Sequence, residues 1–301
     1  MLFASFALRR QPEKPVAAPA APTGAKDAIL SMNSIFNAAY ACVHAASPDD
    51  KLALTFATAA AFARGELVID ENAPPPETIR MPGRPERPTL VHPRELPKRG
   101  FGSNEGRASF IHSIAHIEFN AIDLAWDAVY RFRAMPPQFY ADWVSVANDE
   151  ARHFAMLKKR LGECDHDYGD FDAHNGLWEM AEKTAHSGLE RMALVPRVLE
   201  ARGLDVTPAM IVKLRQLGDH ATADILEVIL REEIGHVAVG SRWFRWCCER
   251  ECVDPEVTFR TLLIEYGRGV LHGPFNLNAR SAAGFSEEEL RFLQSAVAEL
   301  L

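Results

Sequence analysis

Two Glu-x-x-His strings, Glu150–His153 and Glu233–His236, each lie in a stretch with the apolar periodicity of a long helix. Three residues apart on a helix, a carboxylate and an imidazole project from nearly the same face. One helix can therefore offer two metal ligands to one point. Two further glutamates stand at matched distances upstream: Glu118 is 32 residues before Glu150, and Glu200 is 33 before Glu233. Four carboxylates and two imidazoles from four helices make a ligand set for a pair of divalent cations.

Periodicity says that these side chains face a core. Glu118 falls on the stripe of Ile111, Ile114, Ala121, Ala125 and Val129, and Glu150 and His153 on that of Trp143, Val146, Phe154, Leu157 and Leu161. Leu189, Ala193, Leu204 and Ile211 flank Glu200, with Thr207 interrupting; Leu226, Ile229, Val237 and Gly240 flank Glu233 and His236. A buried, unpaired carboxylate costs several kcal/mol or shifts its pKa until it is neutral, and four in one core repel. Divalent cations relieve that repulsion, because ionised carboxylates and neutral imidazoles are the ligands they take. A single Glu-x-x-His is usually a solvated helix face. Two copies on apolar faces, each with an upstream glutamate, favour the dimetal reading.

The elements that position these residues read as two helical hairpins related by a weak internal duplication. Both upstream glutamates sit in a hydrophobic-Glu-x-x-small-hydrophobic-Asp-hydrophobic string, which brings in Asp123 and Asp205. Pro136-Pro137 marks the first hairpin turn, and Gly218-Asp219 the second, with Asp219 as a helix cap. A loop over Cys164–Asn175 crosses between the hairpins. The third helix is the least regular, because Pro196, Gly203 and Pro208 interrupt it. Either a kink or π-bulge at Pro196 aims Glu200 inward, or the helix ends near Arg202 and Glu190 takes its place. Hairpin arithmetic favours Glu200. It lies 18 residues before Gly218, as Glu118 lies 18 before Pro136.

The pattern Glu118, Glu150–His153, Glu200, Glu233–His236 resembles the ferritin-like carboxylate-bridged di-iron superfamily. HIEFNAIDLAWDA, YGDFDAHNGLW, RMALVPRVLEARGLDVTP and EEIGHVAVGSRWF resemble, more closely, a bacterial ferritin-like family of unknown function, from about Leu30 onward. Across the bundle alone the chain also resembles the di-iron tRNA hydroxylases. The expected fold is thus all-α, a ferritin-like four-helix bundle with extra N- and C-terminal helices and a Pro-rich strap. The resemblance implies that Asp149 and Glu232, each just before a ligand glutamate, accept the ring N–H of the histidine on the opposite helix. A tRNA substrate is implied by that analogy only.

The chain divides into four segments. Residues 1–25 are Pro/Ala-rich and read as disordered. Residues 26–104 hold two helices, near Lys26–Ala45 and Pro48–Arg64, and a strap over 73–100 with eight prolines, anchored by Leu90, Val91 and Leu96. The dimetal bundle covers 105–250. Residues 251–301 add a helix near Pro255–Val270, an irregular stretch HGPFNLNAR and a last helix with Ser286 and Glu289 as a capping box.

Composition limits the function. With 301 residues and 48% hydrophobic content there is chain enough for one large helical core. A net charge of −8 argues against a broadly basic nucleic-acid surface, and Arg131/Arg133 and Lys158–Arg160 read as solvated helix ends. Five cysteines without CxxC spacing suggest reduced thiols and a cytoplasmic protein, and no apolar run reaches membrane-span length. Mixed N/O ligands favour two iron ions, with manganese as the alternative. The expected function is an O2-activating oxidoreductase or hydroxylase acting on a small molecule. A non-catalytic metal-binding or storage protein is the alternative, and a scaffold with a vestigial site is disfavoured by six intact ligands. The sequence leaves the oligomeric state open, a dimer among the options.

Overall fold

Helices dominate the chain, and the described residues contain no strand, only two isolated parallel β-bridges, Ser34 to Val68 and Leu90 to Ala173. The computed structural model describes residues 33–97, 100–266 and 273–300. The segment expected to be disordered, 1–25, and the start of the first expected helix lie outside the described residues.

Helices α1 (Ile35–His44) and α2 (Pro48–Ala63) begin at serine caps. Ser34 accepts from the Phe36 amide and Ser47 from that of Asp50. Pro48 supplies the preset φ of a first helical residue, and Asp49 and Asp50 meet the positive end of the helix dipole. The strap that follows is irregular up to a 3-10 turn at Pro93–Glu95. Its anchors differ from those expected: Leu90, Val91 and Leu96 are half-buried, whereas Ile79, Pro82 and Pro88 are buried. The strap is fixed through its backbone. Gly83 donates to Val43 O at 2.8 Å, Val91 to Ala173 O at 2.9 Å, and Trp178 Nε1 to Arg80 O at 2.9 Å.

Helices α3 (Asn104–Arg131) and α4 (Pro137–Gly162) pack along one another, joined by the expected turn at Pro136. Tyr140 Oη closes that turn by donating to Phe132 O. The crossing loop is held by His112, whose Nε2 accepts from the Gly169 amide at 2.9 Å, and by Tyr168 packed against Phe119 and Phe154. A short helix not anticipated from the sequence, α5 (Gly176–Lys183), comes next. Helix α6 (Gly188–Leu194), a π-helical segment (Val195–Glu200) and α7 (Ala201–Gln216) run on without a break. They pack on α8 (His220–Glu251), which also packs on α4. Gly218, with φ +78, makes the turn, and Asp219 caps α8 by accepting from the Thr222 amide.

The π segment resolves the ambiguity at Pro196. Proline has no N–H to continue the α-ladder, and the chain widens rather than ends. The Pro196 ring then lies against Gly240 of α8, where an added Cβ would come within 2.4 Å of Pro196 Cγ. Pro208 stays inside α7. The carbonyl of Leu204, four residues earlier, receives Asn276 Nδ2 at 3.1 Å in place of the missing amide.

Helices α9 (Pro255–Tyr266), α10 (Leu277–Ala282) and α11 (Glu287–Leu300) complete the chain. Helix α10 occupies part of the stretch expected to be irregular, and the expected continuation of α9 to Val270 lies outside the described residues. Ser286 and Glu289 form a reciprocal capping box at 3.2 and 2.8 Å. One continuous apolar cluster runs from Ile35 in α1 to Leu293 in α11, so both extensions share a core with the long helices.

Candidate metal centre

Helix α3 carries Glu118, α4 carries Glu150 and His153, the end of the π segment carries Glu200, and α8 carries Glu233 and His236. Glu118, Glu150, His153, Glu233 and His236 are buried, and Glu200 is half-buried with its Oε2 shielded from solvent. One ligand atom from each of Glu118, Glu150, His153 and Glu233 lies within 4.8 Å of the others. His236 joins this group through Nδ1, which is 2.9 Å from Glu150 Oε1 and 3.2 Å from Glu233 Oε1. His153 Nδ1 is 3.1 Å from Glu118 Oε2 and 3.4 Å from Glu150 Oε2. Glu150 thus stands between the two imidazoles.

The other face of each ring meets an acid on the opposite helix. His153 Nε2 donates to Glu232 Oε2 at 2.7 Å, and His236 Nε2 lies 3.4 Å from Asp149 Oδ2. Arg152 binds both acids, reaching Asp149 Oδ1 at 2.8 Å and Glu232 Oε2 at 2.7 Å. A proton held at Nε2 leaves the Nδ1 lone pair directed at the carboxylate core, the orientation a metal-ligating histidine needs. Arg152 escaped the sequence reading, although its place three residues after Asp149 on a helix was a signal for their pairing.

The electrostatics follow from burial of like charges. Burial, reinforced by Glu150, holds the Glu118 pKa well above the usual carboxylate range, and it raises Glu233 with the same help. Burial together with the charges of Glu233 and Glu150 does the same to Glu200. Glu150 goes the other way, because the two histidines outweigh its burial. Burial opposes charge on the histidines, but the carboxylates around each ring outweigh it and raise both pKa values well above 6.5. Despite burial, Arg152 and His153 hold Glu232 at about 2. The core is therefore a store of protons among crowded oxygens. Glu150 Oε2 and Glu200 Oε2 are buried with no hydrogen-bond partner. Orphaned oxygens beside imidazole nitrogens that can give up their Nδ1 protons are a donor set that a divalent cation satisfies.

Glu190 lies elsewhere. It pairs with His186 at 3.2 Å and accepts from Tyr266 Oη at 3.5 Å. His112 and His116 are hydrogen-bonded in the packing of the crossing loop, and His272 lies outside the described residues. The reading of Arg131 as a solvated helix end is corrected. Its side chain is 9% exposed and paired with buried Asp127, which also binds Arg191 at 2.6 Å. All five cysteines are free thiols. No helix among the described residues is long and apolar enough to cross a membrane.

Residues 44–291 match a family model described as "Protein of unknown function (DUF455)". An uncharacterised protein of Haemophilus influenzae is 46% identical over 216 residues, covering 69% of this chain and 75% of the relative. No solved structure matches the chain.

Proposed function

The chain belongs to the DUF455 family of proteins of unknown function, and from the buried Glu/His cluster we propose that it is a ferritin-like dimetal protein, an O2-activating oxidoreductase with a small organic substrate. The observation that carries this reading is the double-sided arrangement of His153 and His236. Each has Nδ1 turned to the glutamates and Nε2 turned to an acid on the opposite helix. Solvated helix faces have no reason to build that arrangement twice.

In this reading Glu118, Glu150, His153, Glu200, Glu233 and His236 hold two metal ions, iron by preference and manganese as the alternative. Reduced iron, when bound, supplies the electrons that turn dioxygen into an oxidant. The rest is the work of the chain. Glu232 and Asp149 accept the Nε2 protons and fix both ring tautomers. Arg152 ties the two acids together across α4 and α8 and offsets their charge. Ala121, Ala147 and Ile229, one helical turn from the proposed ligands, are buried and keep bulk water from the core. Ligation replaces the protons stored on Glu118, Glu200, Glu233 and both histidines, so metal uptake releases protons. The same cluster suits a non-catalytic metal-binding protein, and only turnover separates the two.

The test is metal content. Protein made in iron-supplied cells should hold close to two metal ions per chain by elemental analysis. His153→Ala or His236→Ala should lose metal and stability, because the remaining glutamates repel. Metal-free protein, never exposed to chelator, would refute the reading.

A further inference from the structure

At the end of the α3–α4 hairpin opposite the crossing loop lies a cavity of about 520 Å³. This is within the roughly 300–1,000 Å³ of small-molecule sites. Arg131, Arg133, His186, Trp246, Arg250 and Glu251 are among the residues that line it. They come from the end of α3, the turn after it, the loop before α6 and the end of α8.

Cations at helix C-termini are ordinary, because they meet the negative end of the helix dipole. That accounts for Arg131 and Arg250 but not for Arg133, which lies beyond the end of α3. Its guanidinium carbon is 3.7 Å from the centroid of the Phe36 ring and 5.0 Å from that of Tyr130. Its Nε and Nη1 are buried with no hydrogen-bond partner. Unmet buried donors on a charged group are costly, so a fold retains them where another interaction offsets the cost. The next residue, Ala134, has φ +57, a left-handed conformation costly for a residue with a Cβ. That conformation belongs to the same turn, whose Ala134 carbonyl accepts from Arg250 Nη1 at 3.4 Å. Strain and a guanidinium packed on two rings, its Nε and Nη1 without partners and shielded from solvent, thus meet at one wall of one cavity.

The charge balance points the same way. Arg131 and Arg191 share the single carboxylate of Asp127, Glu251 is the one acid among the residues that line the cavity, and Asp70 outside that lining also acts on the charge of Arg133. The cavity is cationic in a chain of net charge −8. Half-buried Trp246 supplies a flat apolar wall, with the Arg250 guanidinium carbon 5.3 Å from its ring centroid.

We propose that this cavity binds a small molecule bearing a carboxylate or phosphate group, the anion held by Arg133 and Arg250 and a flat apolar part lying on Trp246. Guanidinium groups suit such oxyanions because their donors match two oxygens at once. The proposal goes beyond the dimetal reading and holds with or without it.

Full-length protein at low ionic strength is titrated with inorganic phosphate, citrate and adenosine 5′-monophosphate, followed by calorimetry and tryptophan fluorescence. At least one probe should bind saturably, one per chain, with Kd below about 1 mM. Citrate against the two phosphates tells which oxyanion is preferred. Arg250→Met, at an exposed position, and Arg133→Met should each weaken binding about tenfold, with helical content and metal content unchanged. Arg242→Met, outside the cavity, should leave binding as it is. The proposal is overturned if no probe saturates by about 10 mM. It is overturned equally if Arg250→Met binds like the parent, or if Arg242→Met weakens binding as much as Arg250→Met does.

Discussion

Asp123 and Asp205 each follow a core glutamate by five residues, and the buried carboxylate of each meets a cation delivered from outside the long helices, Asp205 having Arg202 of its own helix at 3.7 Å as well. Lys51 of α2 reaches Asp123, and Nζ also donates to Cys42 O and Val43 O at 3.1 Å, closing the end of α1. Arg280 of α10 grips Asp205 through Nε at 2.9 Å and Nη2 at 2.7 Å. It also reaches the carbonyls of Arg197 and Ala201 around the π segment at 3.4 Å. The two terminal extensions thus clamp α3 and α7 at points that stand at the same distance from Glu118 and Glu200.

Breaking either clamp strands a buried charge. Lys51→Met and Arg280→Met should each lose about 3 kcal/mol of unfolding free energy in denaturant titrations. Lys51→Met combined with Asp123→Leu should recover much of that loss, because removing both partners leaves no unpaired charge. Arg280→Met should also lower metal occupancy more than Lys51→Met does, since Arg280 alone reaches the segment that carries Glu200. Equal occupancy in both variants would count against a link between the clamp and Glu200.

The all-helical class is legible in the sequence because its signals are local. Stripes at three- and four-residue steps, Pro136, Gly218-Asp219 and the Ser286/Glu289 box all act within a few residues, and the helices start and stop close to them. The same periodicity turns Glu118, Glu150, His153, Glu233 and His236 inward, with Glu200 half-buried. What is not legible depends on partners far along the chain. Nothing near Lys51 announces Asp123, and nothing near Arg280 announces Asp205. Ile79 is buried in the strap whereas the expected anchors Leu90, Val91 and Leu96 are half-buried, because close packing rather than hydrophobicity alone decides burial in an irregular segment. The π segment needed both Pro196, which the sequence offers, and the gap at Gly240, which only packing reveals.

Glu200 and Glu190 separate the two alternatives for the third helix. Glu200→Ala should reduce metal occupancy markedly, whereas Glu190→Ala should leave it near the parent value, since Glu190 is engaged with His186 and Tyr266. Elemental analysis of the two variants side by side decides it. The reverse order would mean that Glu200 serves packing and not ligation.

His112 makes stability depend on acid. Burial depresses its pKa to about 4, with Asp170 and Asp172 opposing weakly. A histidine held below its unfolded value of 6.5 contributes stability that is present above pH 6.5 and is lost as pH falls toward 4. Protonation also removes the lone pair that accepts from Gly169. The loss for this group alone is about 3 kcal/mol. His112→Gln should flatten the fall in denaturation midpoint between pH 6.5 and 4.5. A variant that follows the parent curve in parallel would show that His112 does not couple the crossing loop to pH.

Turnover decides between an enzyme and a binding protein. Iron-loaded, reduced protein is given an electron donor and a fractionated small-molecule extract, and O2 uptake and product mass are followed. If the proposed oxidoreductase reading is right, at least one fraction should drive uptake beyond one equivalent of O2 per metal pair, with a product heavier by one oxygen atom. The motivation is the ligand set: six side chains are too few to fill two iron ions, which leaves positions for dioxygen. Glu232→Gln and Asp149→Asn sharpen the test. Each keeps the shape of the acid but weakens its hold on the Nε2 proton of His153 or His236. Both should lower turnover about 10–100-fold while retaining most of the metal. Uptake that stops at one equivalent with every fraction, in protein holding its two ions, would favour the non-catalytic reading of the same site.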